Sequence, residues 1–261
     1  MEEQRVATSA GLVHLARAGQ GPPALLLHGI GSSADSFRAQ LAGLCSDHRV
    51  MAWDAPGYGR SADPARELTL DDYARTVVEV LDATRVERAH LGGVSWGGVI
   101  ATRVALNHPE RVLTLALIAS TPGRRGTATD LEDRYRVLER LGPAEFARHR
   151  AARVLAAPAD PDLMAEVERN MAASVRLAGY RSAGASLASA RHAAELGGIT
   201  APTLVVVGRA DAVTGVAESQ LLADAIPHAR FMIVDGAGHL VNQERPERVN
   251  SALREHWQRR E

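Results

Sequence analysis

The sequence predicts an α/β protein: a mostly parallel sheet with helices on both faces, interrupted by an inserted helical segment. Three observations predict it. From Ala24 to Ser120, short apolar runs alternate with stretches at helical spacing, the order that builds parallel strands joined by crossover helices. The alternation stops at Thr121-Pro122-Gly123, and no good strand pattern returns until Thr203. It then resumes with two more apolar runs and closes on an amphipathic helix.

Residues 4–18 hold two weak strand patterns around a turn at Ser9-Ala10-Gly11, and Leu12 to Ala16 alternates as an edge strand would. Ala24 to Leu27 reads as a buried strand that runs into His28-Gly29-Ile30-Gly31, with a helix expected over Asp35 to Leu44. His48 to Trp53 is the next strand, ending in the turn-forming loop Asp54-Ala55-Pro56-Gly57-Tyr58-Gly59-Arg60-Ser61. Thr69 with Asp72 forms a capping-box pattern ahead of Leu70, Tyr73, Val77 and Leu81, which recur at helical spacing. Arg88 to Leu91, Val112 to Ser120, Thr203 to Val207 and Arg230 to Val234 are the remaining strands, with helices over Val99 to Leu106, Val216 to Ile226 and Pro246 to Gln258. The segment 121–198 carries 12 arginines and 10 acids and breaks at Pro143 and around Pro158 and Pro161. It is expected to form three or four short helices over one end of the sheet.

Composition excludes several chemistries. A formal net charge of −1 argues against nucleic acid as a partner, since phosphate contacts need clustered positive charge. All 30 basic residues are arginine; without lysine there is no Schiff-base chemistry and no lysine-bearing phosphate loop. Cys45 stands alone, which removes an intrachain disulfide and any cysteine-pair zinc site. The apolar runs are too short to span a bilayer, and Met1-Glu2-Glu3-Gln4-Arg5 does not begin like a signal peptide. A cytoplasmic protein with no membrane partner is expected; the oligomeric state stays open.

Gly93-Val94-Ser95-Trp96-Gly97-Gly98 lies between a strand and a helix. Gly-x-Ser-x-Gly in that setting is a nucleophile elbow, where a tight turn holds the serine hydroxyl above the sheet at a helix N-terminus. Serine needs a base, and histidine titrates in the right range. His239, in Gly236-Ala237-Gly238-His239, follows the last strand, so it shares with Ser95 the carboxyl end of the sheet, where ligands collect. His228 precedes its strand; His108 and His256 belong to helices, and His149 and His192 to the inserted segment. Asp211, in Gly208-Arg209-Ala210-Asp211 after its own strand, is the candidate to orient the base; the rival reading is a turn aspartate capping the next helix. The Trp96 and Ile30 backbone N–H groups are the candidate oxyanion donors. No metal or organic cofactor is required.

Serine, aspartate and histidine in the order 95, 211, 239, with His28-Gly29-Ile30-Gly31, Asp54-x-Pro56-Gly57-x-Gly59-x-Ser61 and Gly93-x-Ser95-x-Gly97-Gly98 at normal spacing, resemble the α/β-hydrolase fold superfamily. That resemblance implies an eight-stranded, mostly parallel sheet, with residues 1–120 and 199–261 as the core and 121–198 as a helical lid inserted after the sixth strand. Within the superfamily the chain looks most like the small 3-oxoadipate enol-lactonase-like and carboxylesterase members, through the short lid and the tail Gly238-His239-Leu240-Val241-Asn242-Gln243-Glu244-Arg245-Pro246. The implied activity is hydrolysis of a small carboxylic ester or lactone. The same scaffold hosts C–C bond hydrolases of ring-cleavage products, cofactor-free perhydrolases and non-catalytic ligand-binding members, and fold alone does not choose among them. Trp96 stands where methionine is common and Gly215 where proline often follows threonine, so the Trp96 indole is expected to shape the substrate pocket. Arg124 and Arg125, leaving the sheet beside the elbow, are the expected partners for a substrate carboxylate.

Overall fold

The fold was analysed in a computed structural model, which describes residues 1–123 and 129–258. Eight strands form one sheet: β1 Glu2–Thr8, β2 Gly11–Ala18, β3 Pro23–Leu27, β4 Arg49–Asp54, β5 Ala89–Val94, β6 Val112–Ile118, β7 Thr203–Gly208 and β8 Arg230–Val234. Their spatial order is β1-β2-β4-β3-β5-β6-β7-β8. From β4 to β8 neighbouring strands are parallel, while β2 pairs antiparallel with both β1 and β4. One expectation is corrected: the edge is β1, of which only Val6 is buried, and β2 is internal. The polar residue in its pattern, His14, is buried beside Asp54 at 3.1 Å rather than solvated.

The helices are α1 Arg38–Leu44, α2 Leu70–Ala83, α3 Trp96–Asn107, α4 Thr129–Val154, α5 Pro161–Ser174, α6 Leu177–Ser189, α7 Gly215–Ala225, α8 Val241–Glu244 and α9 Pro246–Trp257. The strands explain which helix goes where. Leu25, Leu27, Leu115, Leu117 and Val205 point to one face, with Tyr73 and Val77 of α2, Val99 of α3 and Leu222 of α7. Ala24, Leu26, Ala116, Ile118, Leu204 and Val206 point to the other, with Leu41 of α1 and Val249 and Leu253 of α9. Successive strand residues serve opposite faces, so a continuous apolar run is what a sheet covered on both sides requires. The capping box of α2 forms, with Asp72 N donating to Thr69 Oγ1 at 3.2 Å and Thr69 N to Asp72 Oδ2 at 3.0 Å. Among the described residues no helix is long and apolar enough to cross a membrane.

Helices α4 to α6 lie between β6 and β7 in the chain. α4 is broken at Gly142 (φ 74°), just before Pro143, a conformation glycine adopts without a Cβ penalty. Hydrogen bonds on two sides hold the segment to the sheet loops. Ser33 Oγ donates to Asn170 Oδ1 of α5, and Arg176 donates to the carbonyls of Gly59 and Ser61. At the other side, Leu240 N donates to Val154 O, and Glu244 accepts from both Ala156 N and Gly238 N. Burial raises the Glu244 carboxyl above its usual range, against the pull of those two bonds.

At the opposite end of the sheet His90 is buried against Trp257 and beside His48, with Nδ1 3.0 Å from Thr114 Oγ1. Burial first, then the charges of His48 and His256, push its pKa down to about 4. In the unfolded chain it returns to about 6.5, so the unfolded state binds more protons between those values. Its contribution to stability therefore falls as pH drops through 6.5 and is constant below 4. His90→Asn should flatten that loss by up to about 3 kcal/mol. Urea midpoints at pH 7 and pH 4.5 check this; wild type and variant falling in parallel would assign the acid sensitivity elsewhere.

Candidate active site

From β3 the chain goes to one side to build β4 and then crosses back past β3 to build β5, which makes the β3/β5 boundary the point where topology reverses. Crevices open at the carboxyl ends of strands there. The loops after β3 and β5 meet at that point: a Cβ on Gly29 would lie 3.2 Å from Ser95 Cβ. Ser95 itself has φ 54° and ψ −118°, a left-handed backbone that strains a non-glycine residue. Its surroundings fix it. Ser95 N donates to Ile118 O at 2.8 Å, and Ser95 O accepts from Ser120 Oγ at 2.9 Å. Small residues are obligatory around it, since a Cβ on Gly93 would fall 2.2 Å from the Gly97 carbonyl and one on Gly97 would fall 2.1 Å from Leu27 O.

Asp211 and His239 meet. Nδ1 of His239 is 3.0 Å and 3.1 Å from the two Asp211 oxygens, and both residues are buried. Burial would raise the Asp211 pKa. The hydrogen bond and charge of His239, the Thr214 hydroxyl and the Val213 N–H outweigh it and lower the value to about 2. An ionised carboxylate only accepts hydrogen bonds, so Nδ1 carries the proton and Nε2 is the free lone pair. The rival reading of Asp211 also holds in part. Its Oδ1 accepts from Val213 N at 2.8 Å and Thr214 N at 3.1 Å, which closes the turn before α7. Thr214 Oγ1 donates to Oδ2 at 2.7 Å. Gly215 follows with φ 80°, a value that proline, locked near −65°, cannot take.

Ser95 and His239 line one cavity of about 390 Å³, with Gly29, Ile30 and Thr214. Among the described residues, neither the Ile30 nor the Trp96 backbone N–H is committed to a protein acceptor. The loop bearing Ile30 is held by His28, whose buried ring lies between two backbone groups. Ala55 N donates to Nε2 at 3.0 Å, so Nδ1 carries the proton and donates to Gly29 O at 2.8 Å. Burial, the largest influence, keeps His28 below its usual pKa, consistent with a neutral ring.

The Trp96 indole is not among the residues lining the cavity, which corrects the expectation that it shapes the substrate pocket. It is fully buried, packs edge-on against Tyr73 with ring centroids 4.8 Å apart, and donates from Nε1 to Ser186 Oγ of α6 at 2.9 Å. Its size fills the space between the elbow helix and the inserted segment. Arg124 and Arg125 lie outside the described residues. Two other arginines, Arg134 and Arg150 of α4, line the cavity instead, alongside Phe146 and Tyr180. Neither they nor Thr214 was singled out from the sequence. Thr214 alone had a local signal, three residues beyond the aspartate.

Fold and site together define a class. The sequence profile of the alpha/beta hydrolase fold family matches residues 22–246, and the chain belongs to that family. It is 28% identical over 229 residues to 3-oxoadipate enol-lactonase 1 of Acinetobacter baylyi, covering 87% of this chain and 85% of that one. A hydrolase from Pseudomonas aeruginosa superposes with a TM-score of 0.91 at 28% identity over 98% of both chains. A thermophilic esterase from Thermogutta terrifontis, solved with malate bound, does so at 0.88 and 28% identity, over 98% of this chain and 97% of that one.

Proposed function

We propose that this protein is a serine hydrolase that opens a small carboxylic ester or lactone through an acyl-enzyme. Ser95 Oγ attacks the acyl carbon while His239 Nε2 takes its proton, and Asp211 holds the ring and stabilises the imidazolium. The Ile30 and Trp96 N–H groups receive the developing oxyanion. His239 then returns the proton to the leaving alkoxide, which in a lactone remains tethered to the acyl chain. Water, deprotonated by His239, attacks the acyl-enzyme, releases the acid and restores Ser95. No metal or organic cofactor enters any step. Residues 1–120 and 199–261 act as the core, and 121–198 as a lid roofing the cavity. The reaction suits a cytoplasmic enzyme acting on a free small molecule.

The observation that carries this reading is the contact of His239 Nδ1 with Asp211 at 3.0 Å. Asp211 claims Nδ1, and the remaining nitrogen belongs to a ring that lines the same cavity as Ser95. Similarity to a lactonase and to an esterase supports the bond class. The test is a turnover panel of p-nitrophenyl esters, enol-lactones and dienoate ketones. Esters or lactones should be cleaved, the esters with a burst of one alcohol per active site where deacylation is slow. Cleavage of dienoate ketones alone would replace ester hydrolysis by C–C bond hydrolysis.

A further inference from the structure

Most charged side chains of the inserted segment are accounted for. Arg136, Arg148, Arg176 and Arg181 each lie beside a carboxylate. Arg140, Arg153 and Arg169 are exposed and solvated. Arg134 and Arg150 differ from both groups: they are half-buried, they face the cavity, and among the described residues neither has an ion-pair partner. Taking a cation out of water without a counter-charge is costly. Burial, and then the charge of Arg134, lower the Arg150 pKa to about 10, so Arg150 remains charged at neutral pH and is repelled by its neighbour.

The rest of the lining sharpens the contrast. Among the described residues Glu218 is the only carboxylate that lines the cavity, and its Oε2 accepts from Thr121 Oγ1 at 2.7 Å. Tyr180 stands beside the arginines; burial raises its pKa, and the charges of Arg150 and Arg134 and a hydrogen bond from Arg134 offset part of that rise. The remaining lining includes Phe146, Val154, Val167, Met171 and Leu187, which suits a short hydrocarbon chain. A ligand matching this cavity has an apolar middle and an anionic end.

We infer that Arg134 and Arg150 are specificity-determining residues that bind a carboxylate of the substrate, which is therefore a half-ester or lactone of a small dicarboxylic acid. The inference rests on the hydrolase reading for what happens at Ser95, but the anion site stands on its own geometry. A guanidinium presents paired N–H donors that match a carboxylate. An occupant with one negative charge relieves the repulsion between the two arginines and replaces the solvation that they lost. A neutral ester does neither.

The test compares p-nitrophenyl hydrogen glutarate with its neutral methyl ester, following p-nitrophenol release. Wild type should prefer the acid in kcat/KM by roughly 10- to 100-fold, the range for hydrogen bonds to charged groups. In Arg134→Gln and Arg150→Gln that ratio should fall toward one. Glutarate binding to Ser95→Ala by calorimetry reads the same site without turnover and should weaken in each arginine variant, while inorganic sulfate at equal ionic strength binds more weakly than glutarate. A wild-type ratio near one, arginine variants that keep the wild-type ratio, or sulfate binding as tightly as glutarate would overturn the inference. If Arg150→Gln does not fold, Arg134→Gln decides. If wild type cleaves neither ester, the hydrolase reading fails, and the glutarate calorimetry still decides on the anion site.

Discussion

Ser95→Ala is expected to lose roughly 10⁴- to 10⁶-fold in kcat, the cost of removing a nucleophile that acts as a unit with its base. The effect is large because no neighbouring group can substitute. Ser95 is the residue that the strained elbow, with φ 54°, presents to the cavity, and the glycines around it leave no room for another side chain. Alanine suffers the same backbone strain as serine, so the fold should survive, with a thermal midpoint close to wild type. Substrate binding should change little, because the lost hydroxyl acts in the chemical step. Intact-mass labelling supplies a second readout: a phosphonofluoridate should add once to wild type, at Ser95, and not at all to the variant. A variant retaining more than about one hundredth of wild-type turnover, far above the residual expected of a nucleophile deletion, would remove Ser95 from the reaction.

How much of this was legible in the sequence follows from the range of each determinant. Leu25 to Leu27 and Leu204 to Val207 could be read as strands because burial on both faces makes them apolar throughout. Asp211 and His239 could be paired because each follows a strand, and strand ends of a parallel sheet gather on one edge. The edge position was less legible, since the polar His14 imitates an alternation with one solvated face, yet in β2 both faces from Val13 to Ala16 are buried and the strand is internal. The cavity arginines were not legible at all. Arg134 and Arg150 are sixteen positions apart, which on an unbroken helix sets them about 24 Å apart and about 160° around the axis. The break at Gly142 brings both to one cavity. Pro143 signals a break in the sequence but not the direction of the turn. Trp96 misled for a related reason: its neighbour is the proposed nucleophile, yet on a helix adjacent residues face different ways. Its indole goes to Tyr73 and Ser186.

Asp211→Asn should lower kcat by about 10³- to 10⁴-fold while leaving the fold in place, because the error that it introduces is one of tautomer. The structure specifies how the amide would sit. Val213 N and Thr214 N both donate to Oδ1, so the carbonyl oxygen of asparagine is drawn to that position. The NH2 group is then left where Oδ2 stood, 3.0 Å from His239 Nδ1. A donor there favours Nδ1 as acceptor and moves the ring proton to Nε2, the atom that must receive the Ser95 proton. Stability should change with pH in a defined direction. Asp211 has its folded pKa lowered to about 2 from about 3.9 in the unfolded chain. Its contribution is complete above the unfolded value and disappears as pH falls through 2, and amounts to about 2 kcal/mol. Asparagine does not titrate, so the difference in urea midpoint between wild type and variant should shrink between pH 4.5 and pH 2. The two measurements separate orientation from scaffolding: if kcat falls only in proportion to the unfolded fraction, Asp211 holds the loop and not the base.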